Sequence, residues 1–154
     1  SSPRSKRGVF SVRQGGRGRP VLFIPMTSEQ RALFQQAVFR SAPLPADWPA
    51  DFAIITAYDP DGLPTTLELN HAADEALESE LRAAGYRLHR ITGGSADGVH
   101  LEPGWGVPIG LPGAVEYGRR YRQLAVFYIQ GGGLKLVDCA DGASEDLGRP
   151  FRAL

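Results

Sequence analysis

The chain has 154 residues, of which 42% are hydrophobic and 22% are charged, which is the usage of one ordinary globular domain. No apolar run approaches the roughly 18 residues of a membrane-spanning helix, so a spanning segment is excluded at this level. No charged-then-apolar leader opens the chain, and the single cysteine, Cys139, excludes an internal disulfide. We therefore expect a cytoplasmic protein, and no motif calls for a cofactor.

The net charge of zero hides an uneven distribution along the chain. Residues 1–20 hold six of the 17 basic side chains and none of the 17 acidic ones, so this arm is positive and the remainder negative. The arm is rich in Arg, Gly and Ser, which predicts disorder in the free protein. A basic tail on an acidic body is typical of attachment to a polyanion, here nucleic acid or nucleoprotein. The candidate contacts are Arg4, Lys6, Arg7, Arg13, Arg17 and Arg19.

Residues 21–50 predict one helix followed by a linker. Val21 to Ile24 is a short apolar run that fits an edge strand. Thr27 and Gln30 have the spacing of a capping box, and the helix is predicted to continue to about Arg40. Three prolines in residues 41–50 predict a stiff linker over the body, with Trp48 as its anchor.

Residues 51–140 predict an α+β core domain, and residues 141–154 a loosely ordered C-terminal tail. A continuous apolar run after Asp51 predicts a buried strand, and the next helix is predicted to start at a capping box of Thr65 and Glu68. Pro112 suits the first turn of another helix, and a Gly-rich turn predicts a C-terminal hairpin. The predicted strands cover residues 52–57, 86–91, 105–109, 124–129 and 134–137, and the predicted helices cover residues 65–84 and 112–121.

From residue 52 the predicted order is β-α-β-β-α-β-β. We interpret it as a mixed sheet in the ferredoxin-like split β-α-β arrangement, with one extra C-terminal strand and one preceding helix. Pro108 argues against this arrangement, because it would remove a ladder hydrogen bond from the central third strand.

Four motifs occur in order along this core. Phe52 to Pro60 reads FAIITAYDP, Asn70 opens the pattern Asn-x6-Leu-x3-Leu-x3-Gly-Tyr, Glu102 opens Glu-Pro-Gly, and Tyr121 to Tyr128 reads YRQLAVFY. Together they resemble the bacterial family named domain of unknown function 3293, over roughly residues 51–138. The resemblance implies a small bacterial domain and supplies no reaction and no catalytic residues.

A few polar residues stand where apolar ones are expected. Asn70 lies on the buried stripe of its helix, where it is either structural, as an N-cap or a clamp on the Tyr58–Gly62 turn, or a ligand contact. Glu102 is either an ordinary surface carboxylate or converges with Asn70 at the end of the first core strand. Thr56, Tyr58 and Gln123 are candidate members of the same pocket, with a backbone clamp as the alternative for Gln123.

The remaining chemistry-bearing residues are weaker candidates. Asp59 and Asp61 lie two apart on a turn, with His71, His100 and Glu102 elsewhere as further potential metal ligands. Asp-Pro-Asp-Gly is an ordinary turn sequence, and His71, His89 and His100 form no zinc spacing, so we expect no metal site. Arg119 and Arg122 lie one helical turn apart and are candidates to extend the basic arm across the body.

No catalytic constellation is recognisable, so a non-catalytic binding module that recognises a macromolecular partner is the leading hypothesis. A small-molecule-binding or hydrolytic site around Asn70 and Glu102 is the alternative. A protein partner is a further possibility, and the oligomeric state stays open.

Overall fold

The structure, a computed structural model, describes residues 24–154 of the chain. These residues form three α helices and seven β strands. The helices are α1 (Ser28–Gln35), α2 (Leu67–Ala83) and α3 (Leu111–Arg120). The strands are β1 (Val38–Arg40), β2 (Phe52–Thr56), β3 (His89–Gly94), β4 (Leu101–Val107), β5 (Ala125–Gln130), β6 (Gly133–Asp138) and β7 (Ser144–Pro150).

All seven strands join one sheet in the order β1-β3-β4-β2-β5-β6-β7. Every pairing of these strands is antiparallel, so the predicted mixed sheet is wrong in this respect, whereas the α+β class is confirmed. The physical reason is that β4 lies between β2 and β3, so the two strands joined by α2 do not pair with each other. An isolated parallel bridge between Phe39 and Ala153 links the β1 edge to the C-terminus, so the sheet curls.

One face of the sheet, which we call the helical face, is covered by α2 and α3. Side chains alternate across a strand, so Ala53 and Ile55 of β2 point to this face together with Val126 of β5. Leu77 and Leu81 of α2 lie one turn apart and are fully buried against them. This face holds the larger of the two hydrophobic cores. The spacing of apolar residues along the sequence predicts the helices that cover it.

The opposite face, which we call the terminal face, is covered by segments from both ends of the described chain. Its core contains Phe39, Phe52 and Phe127, with Trp48 and Phe151 packed against it. The ring of Phe39 meets that of Phe127 edge-on, at 5.0 Å between centroids, and also contacts Phe151. Contacts between aromatic rings from distant segments therefore close this face.

The N-terminal helix is shorter than predicted. The capping box of Thr27 and Gln30 is present, but α1 ends at Gln35, and β1 follows where the helix was predicted to continue. Helical spacing along residues 28–40 places Leu33 on the predicted buried side, but Leu33 is 71% exposed. Val38 and Phe39 favour a strand, and they find a partner in the β3 edge, so long-range pairing replaces the last helical turn.

The N-cap of the second helix lies one residue later than predicted. Thr66, not Thr65, is its N-cap, and the Thr66 side chain accepts a hydrogen bond from the Leu69 backbone. The capping box of Thr65 and Glu68 was therefore wrong, because the cap acts on the third helical position after Thr66.

The predicted C-terminal tail is wrong, since β7 pairs with β6 along the edge of the sheet. Arg149 in β7 donates to the backbone carbonyls of Gln35 and Ala37, and Arg31 of α1 reaches Glu145 in β7. The sequence did not predict β7, because this strand lacks the alternating apolar face that marks a half-buried strand. An edge strand can pair through its backbone without such a face.

None of the helices formed by residues 24–154 has both the length and the apolar content needed to cross a bilayer. The basic arm and residues 21–23 of the predicted edge strand lie outside the described residues, and Ile24 lies in no strand.

Candidate functional site

The site begins where β4 extends beyond the end of its neighbour β2. Pairing between the two strands ends at Thr56 and Gly104, whereas β4 continues to pair with β3 through Pro103 and Glu102. Pro103 is tolerated because it lies in this overhang, and Pro108, the residue that argued against the arrangement, lies just after the strand ends. The overhang holds Glu102 beside the turn that follows β2.

That turn contains Asp59 in a left-handed backbone conformation, with φ of 50°. Asn70 holds it twice: its side-chain oxygen accepts from the Asp59 backbone amide at 2.9 Å, and its amide donates to the Asp59 carboxylate at 3.0 Å. Asn70 therefore stabilises a backbone state that costs a non-glycine residue free energy. This is the clamp on the turn that the structural interpretation of Asn70 predicted.

His100 reaches the same place from the tip of the β3–β4 hairpin. The tip is tightened by Ser95 and Asp97, since the Ser95 hydroxyl accepts from the His100 amide and donates to the Asp97 carboxylate. His100 and Glu102 lie two residues apart, so they share one side of the chain, and His100 Nε2 lies 2.8 Å from Glu102 Oε2.

Asp59, His100 and Glu102 form one cluster, in which the potential ligand atoms all lie within 4.8 Å of one another. Burial raises the pKa of Glu102 above its ordinary value, and the Asp59 charge raises it further, while the hydrogen bond from His100 opposes both. The ion-pair partner of Glu102 within residues 24–154 is His100, which is itself exposed. The cluster is therefore open to solvent and rich in negative charge.

The other predicted pocket residues position this cluster. Thr56 donates to the Pro103 carbonyl at 2.8 Å and accepts from the Tyr58 amide, which ties the turn to the overhang. Gln123 donates to the Tyr58 carbonyl, so it is a backbone clamp. Tyr58 is buried, and its ring packs against that of His71.

The two arginines predicted to extend the basic arm are engaged within the body. Arg119 donates to the backbone carbonyls of Cys139 and Ala140. Arg122 contacts both carboxylate oxygens of Asp61 at 2.9 Å. Cys139 is buried, and burial raises the pKa of its thiol to about 12, which makes it a poor nucleophile.

The structure thus brings Glu102 and Asn70 to the end of the first core strand, with Asp59 between them. The sequence prediction missed the central position of Asp59 and the pairing of His100 with Glu102. One usable signal was the spacing of two between His100 and Glu102, which places both side chains on one side of a strand. The other was the position of Asp59 in the turn after the first core strand, the turn that Asn70 was predicted to clamp.

The fold and this cluster define an α+β protein with a carboxylate–histidine site at the end of its sheet. The model of the family described as "Protein of unknown function (DUF3293)" matches residues 55–126. The resemblance inferred from the sequence is thereby confirmed. The matched segment contains the whole cluster and the residues that position it, whereas α1, β1 and β7 lie outside it. No curated protein and no solved structure matched the chain in the comparisons.

Proposed function

We propose that this protein is a binding module whose body holds a positively charged ligand between Asp59, His100 and Glu102. The observation that carries the proposal is the convergence of two carboxylates and an imidazole within 4.8 Å, with solvent access. Burial raises the pKa of Glu102, and the nearby Asp59 charge adds to the shift. A cation between the two carboxylates would relieve their mutual repulsion.

Propylammonium is a direct probe of this site. Titrated into the full chain and followed by two-dimensional amide NMR, it should bind with about millimolar affinity, equivalent to about 4 kcal/mol. The shifts should centre on Asp59, Asn70 and His100, and Glu102→Gln should abolish them. Glu68→Gln, at an exposed position on α2, is the matched control. Propionate should produce no shifts there, and equal responses to the amine and the acid would contradict the proposal.

A hydrolytic enzyme that uses the same cluster is the second candidate. The raised pKa of Glu102 beside His100 favours it, because a proton-transfer pair needs a group whose pKa lies nearer to neutrality. Its test is hydrolysis of p-nitrophenyl acetate: a rate above buffer that Glu102→Gln removes supports an enzyme, and a rate unchanged in the variant contradicts one.

The basic arm is a separate binding element in this proposal. Its support is the charge distribution, since residues 1–20 carry six basic and no acidic side chains. We propose that the arm contacts a polyanion, nucleic acid or nucleoprotein, without help from Arg119 and Arg122. Binding to RNA and DNA should weaken steeply with salt and disappear when the six basic residues are replaced by glutamine. Affinity that ignores both salt and these replacements would contradict this role.

Two further assignments belong to the proposal. The position of β4 between β2 and β3, with β5 on the other side of β2, supports the ferredoxin-like split arrangement for the core. A cytoplasmic location is supported by a single cysteine that is buried.

A further inference from the structure

We infer that the positively charged ligand of this site is a divalent transition-metal ion, best represented by Zn²⁺, ligated by Asp59, His100 and Glu102. The inference rests on the proposed function, because it names the chemical class of the cation. Three side chains from two separate segments, the turn after β2 and the β3–β4 hairpin, supply one imidazole nitrogen and two carboxylates. Three protein ligands of this kind leave coordination positions for water.

The donor set decides the class of metal. Mg²⁺ and Ca²⁺ prefer oxygen donors alone, whereas an imidazole nitrogen favours Zn²⁺ and other late first-row ions. His100 is the residue that makes this distinction, because Asp59 and Glu102 alone would suit either class. The prediction is therefore specific: Zn²⁺ binding depends on His100, and Mg²⁺ does not substitute for Zn²⁺.

The distances allow coordination with small side-chain movements. Donors about 2.1 Å from a common ion in tetrahedral geometry lie about 3.4 Å apart. His100 Nε2 and Glu102 Oε2 are 2.8 Å apart, and no pair of donors in the cluster exceeds 4.8 Å. The His100 side chain is 60% exposed, so the imidazole has room to turn and an ion has a path to it.

Hydrogen bonds from neighbouring side chains orient the proposed metal ligands, as an outer coordination shell does. Asn70 donates to one oxygen of the Asp59 carboxylate and leaves the other for the ion. Thr56 fixes the Pro103 carbonyl, and with it the backbone beside Glu102. Such partners orient metal ligands, and their loss typically lowers metal affinity about 10–100-fold.

The test is calorimetric titration of the chelator-treated, dialysed full chain with ZnCl₂ and, separately, MgCl₂. We expect one Zn²⁺ site, with affinity reduced at least about tenfold in His100→Ala, Asp59→Asn and Glu102→Gln. Asn is chosen at position 59 because it tolerates a left-handed backbone. His71→Ala removes an exposed histidine outside the cluster and should keep the Zn²⁺ affinity within about twofold of the wild type.

Circular dichroism of each variant separates a lost ligand from a lost fold. Zn²⁺ binding that all three cluster variants leave unchanged, or Mg²⁺ binding of equal strength, overturns the metal assignment. If propylammonium binds at the cluster and Zn²⁺ does not, the metal assignment fails while the cation site stands. If neither cation binds there, the proposed function fails as well.

Discussion

The two faces of the sheet are closed by different means. On the helical face, α2 and α3 lie close in sequence to the strands that they cover, and their apolar spacing predicts them. On the terminal face, α1, Trp48 and Phe151 come from opposite ends of the described chain and meet through aromatic rings. The difference shows that one half of the core is encoded locally, whereas the other exists only when both chain ends are in place.

The largest expected effect is on the terminal face. Phe39→Ala should lower the free energy of unfolding by about 3–5 kcal/mol, because Phe39 is 1% exposed and touches both Phe127 and Phe151. Urea denaturation measures the change. Leu33→Ala in α1, at a 71% exposed position, is the control and should stay within about 0.5 kcal/mol. A loss at Phe39 no larger than at Leu33 would show that the terminal face is not a packed core.

Leu77→Ala tests the helical face. Leu77 is fully buried under α2, so the loss should be about 2–5 kcal/mol in the same urea experiment. Leu69→Ala, on the same helix and 62% exposed, is the matched control. Leu77 and Phe39 lie in separate clusters, so the losses in free energy of unfolding caused by Leu77→Ala and Phe39→Ala should add in the double variant. A strong coupling between them would contradict the division into two cores.

A smaller effect is expected where α3 approaches the sheet. A Cβ at Gly118 would lie 2.6 Å from Cys139 Sγ and 2.9 Å from Val126 Cγ1, which costs about 1–3 kcal/mol of overpacking. Alanine returns up to about 1 kcal/mol of helix propensity, so Gly118→Ala should destabilise by about 1 kcal/mol net. Adding Cys139→Ala should recover part of this loss, because it removes the nearest atom. Thermal denaturation of the single and double variants measures it, and no recovery would argue against this contact.

The smallest effect concerns the link between α1 and the sheet. Burial raises the pKa of Asp138 above its ordinary 3.8, although Arg31 and the Ala140 amide oppose the shift. A raised folded-state pKa means that this group's contribution to stability is present below about pH 3.8 and is lost as pH rises through the folded value. Asp138→Asn should therefore match or exceed the wild type in stability at pH 7 and lose that advantage toward pH 4.

Urea denaturation at both pH values checks this expectation. Glu145→Gln is the matched control, because Glu145 pairs with the same Arg31 but its side chain is 40% exposed, so it should change stability by less than about 1 kcal/mol. An Asp138→Asn variant that is markedly less stable at pH 7 than at pH 4, relative to the wild type, would show that the ion pair with Arg31 outweighs the cost of burial.

The difference between the locally encoded helical face and the terminal face, which is closed by distant segments, explains what the sequence could and could not predict. The buried strands, α3 and the central part of α2 follow from local periodicity, and Gly85 ends α2 as its positive φ of 94° allows. β1 and β7 were missed because their evidence is a partner strand: Val38 pairs with Gly94, and Ser144 pairs with Val137. Neither pairing can be recognised from the residue pattern of β1 or β7 alone.

The candidate site, like the fold, was predictable only in part from the sequence. Asn70 and Glu102 were recognisable as polar residues at unusual positions, and they do lie on either side of Asp59. Their meeting depends on the register of β4 against β2 and on the overhang beyond Gly104, which no local pattern contains. The role of Asp59 was hidden because Asp-Pro-Asp-Gly is also an ordinary turn sequence.

The most direct measurement of zinc binding is anomalous X-ray scattering at the zinc edge from crystals of the full chain grown with Zn²⁺. We expect a peak about 2.0–2.2 Å from a carboxylate oxygen of Asp59, a ring nitrogen of His100 and a carboxylate oxygen of Glu102. The absence of a peak among these three side chains, with zinc bound elsewhere on the molecule, would contradict it.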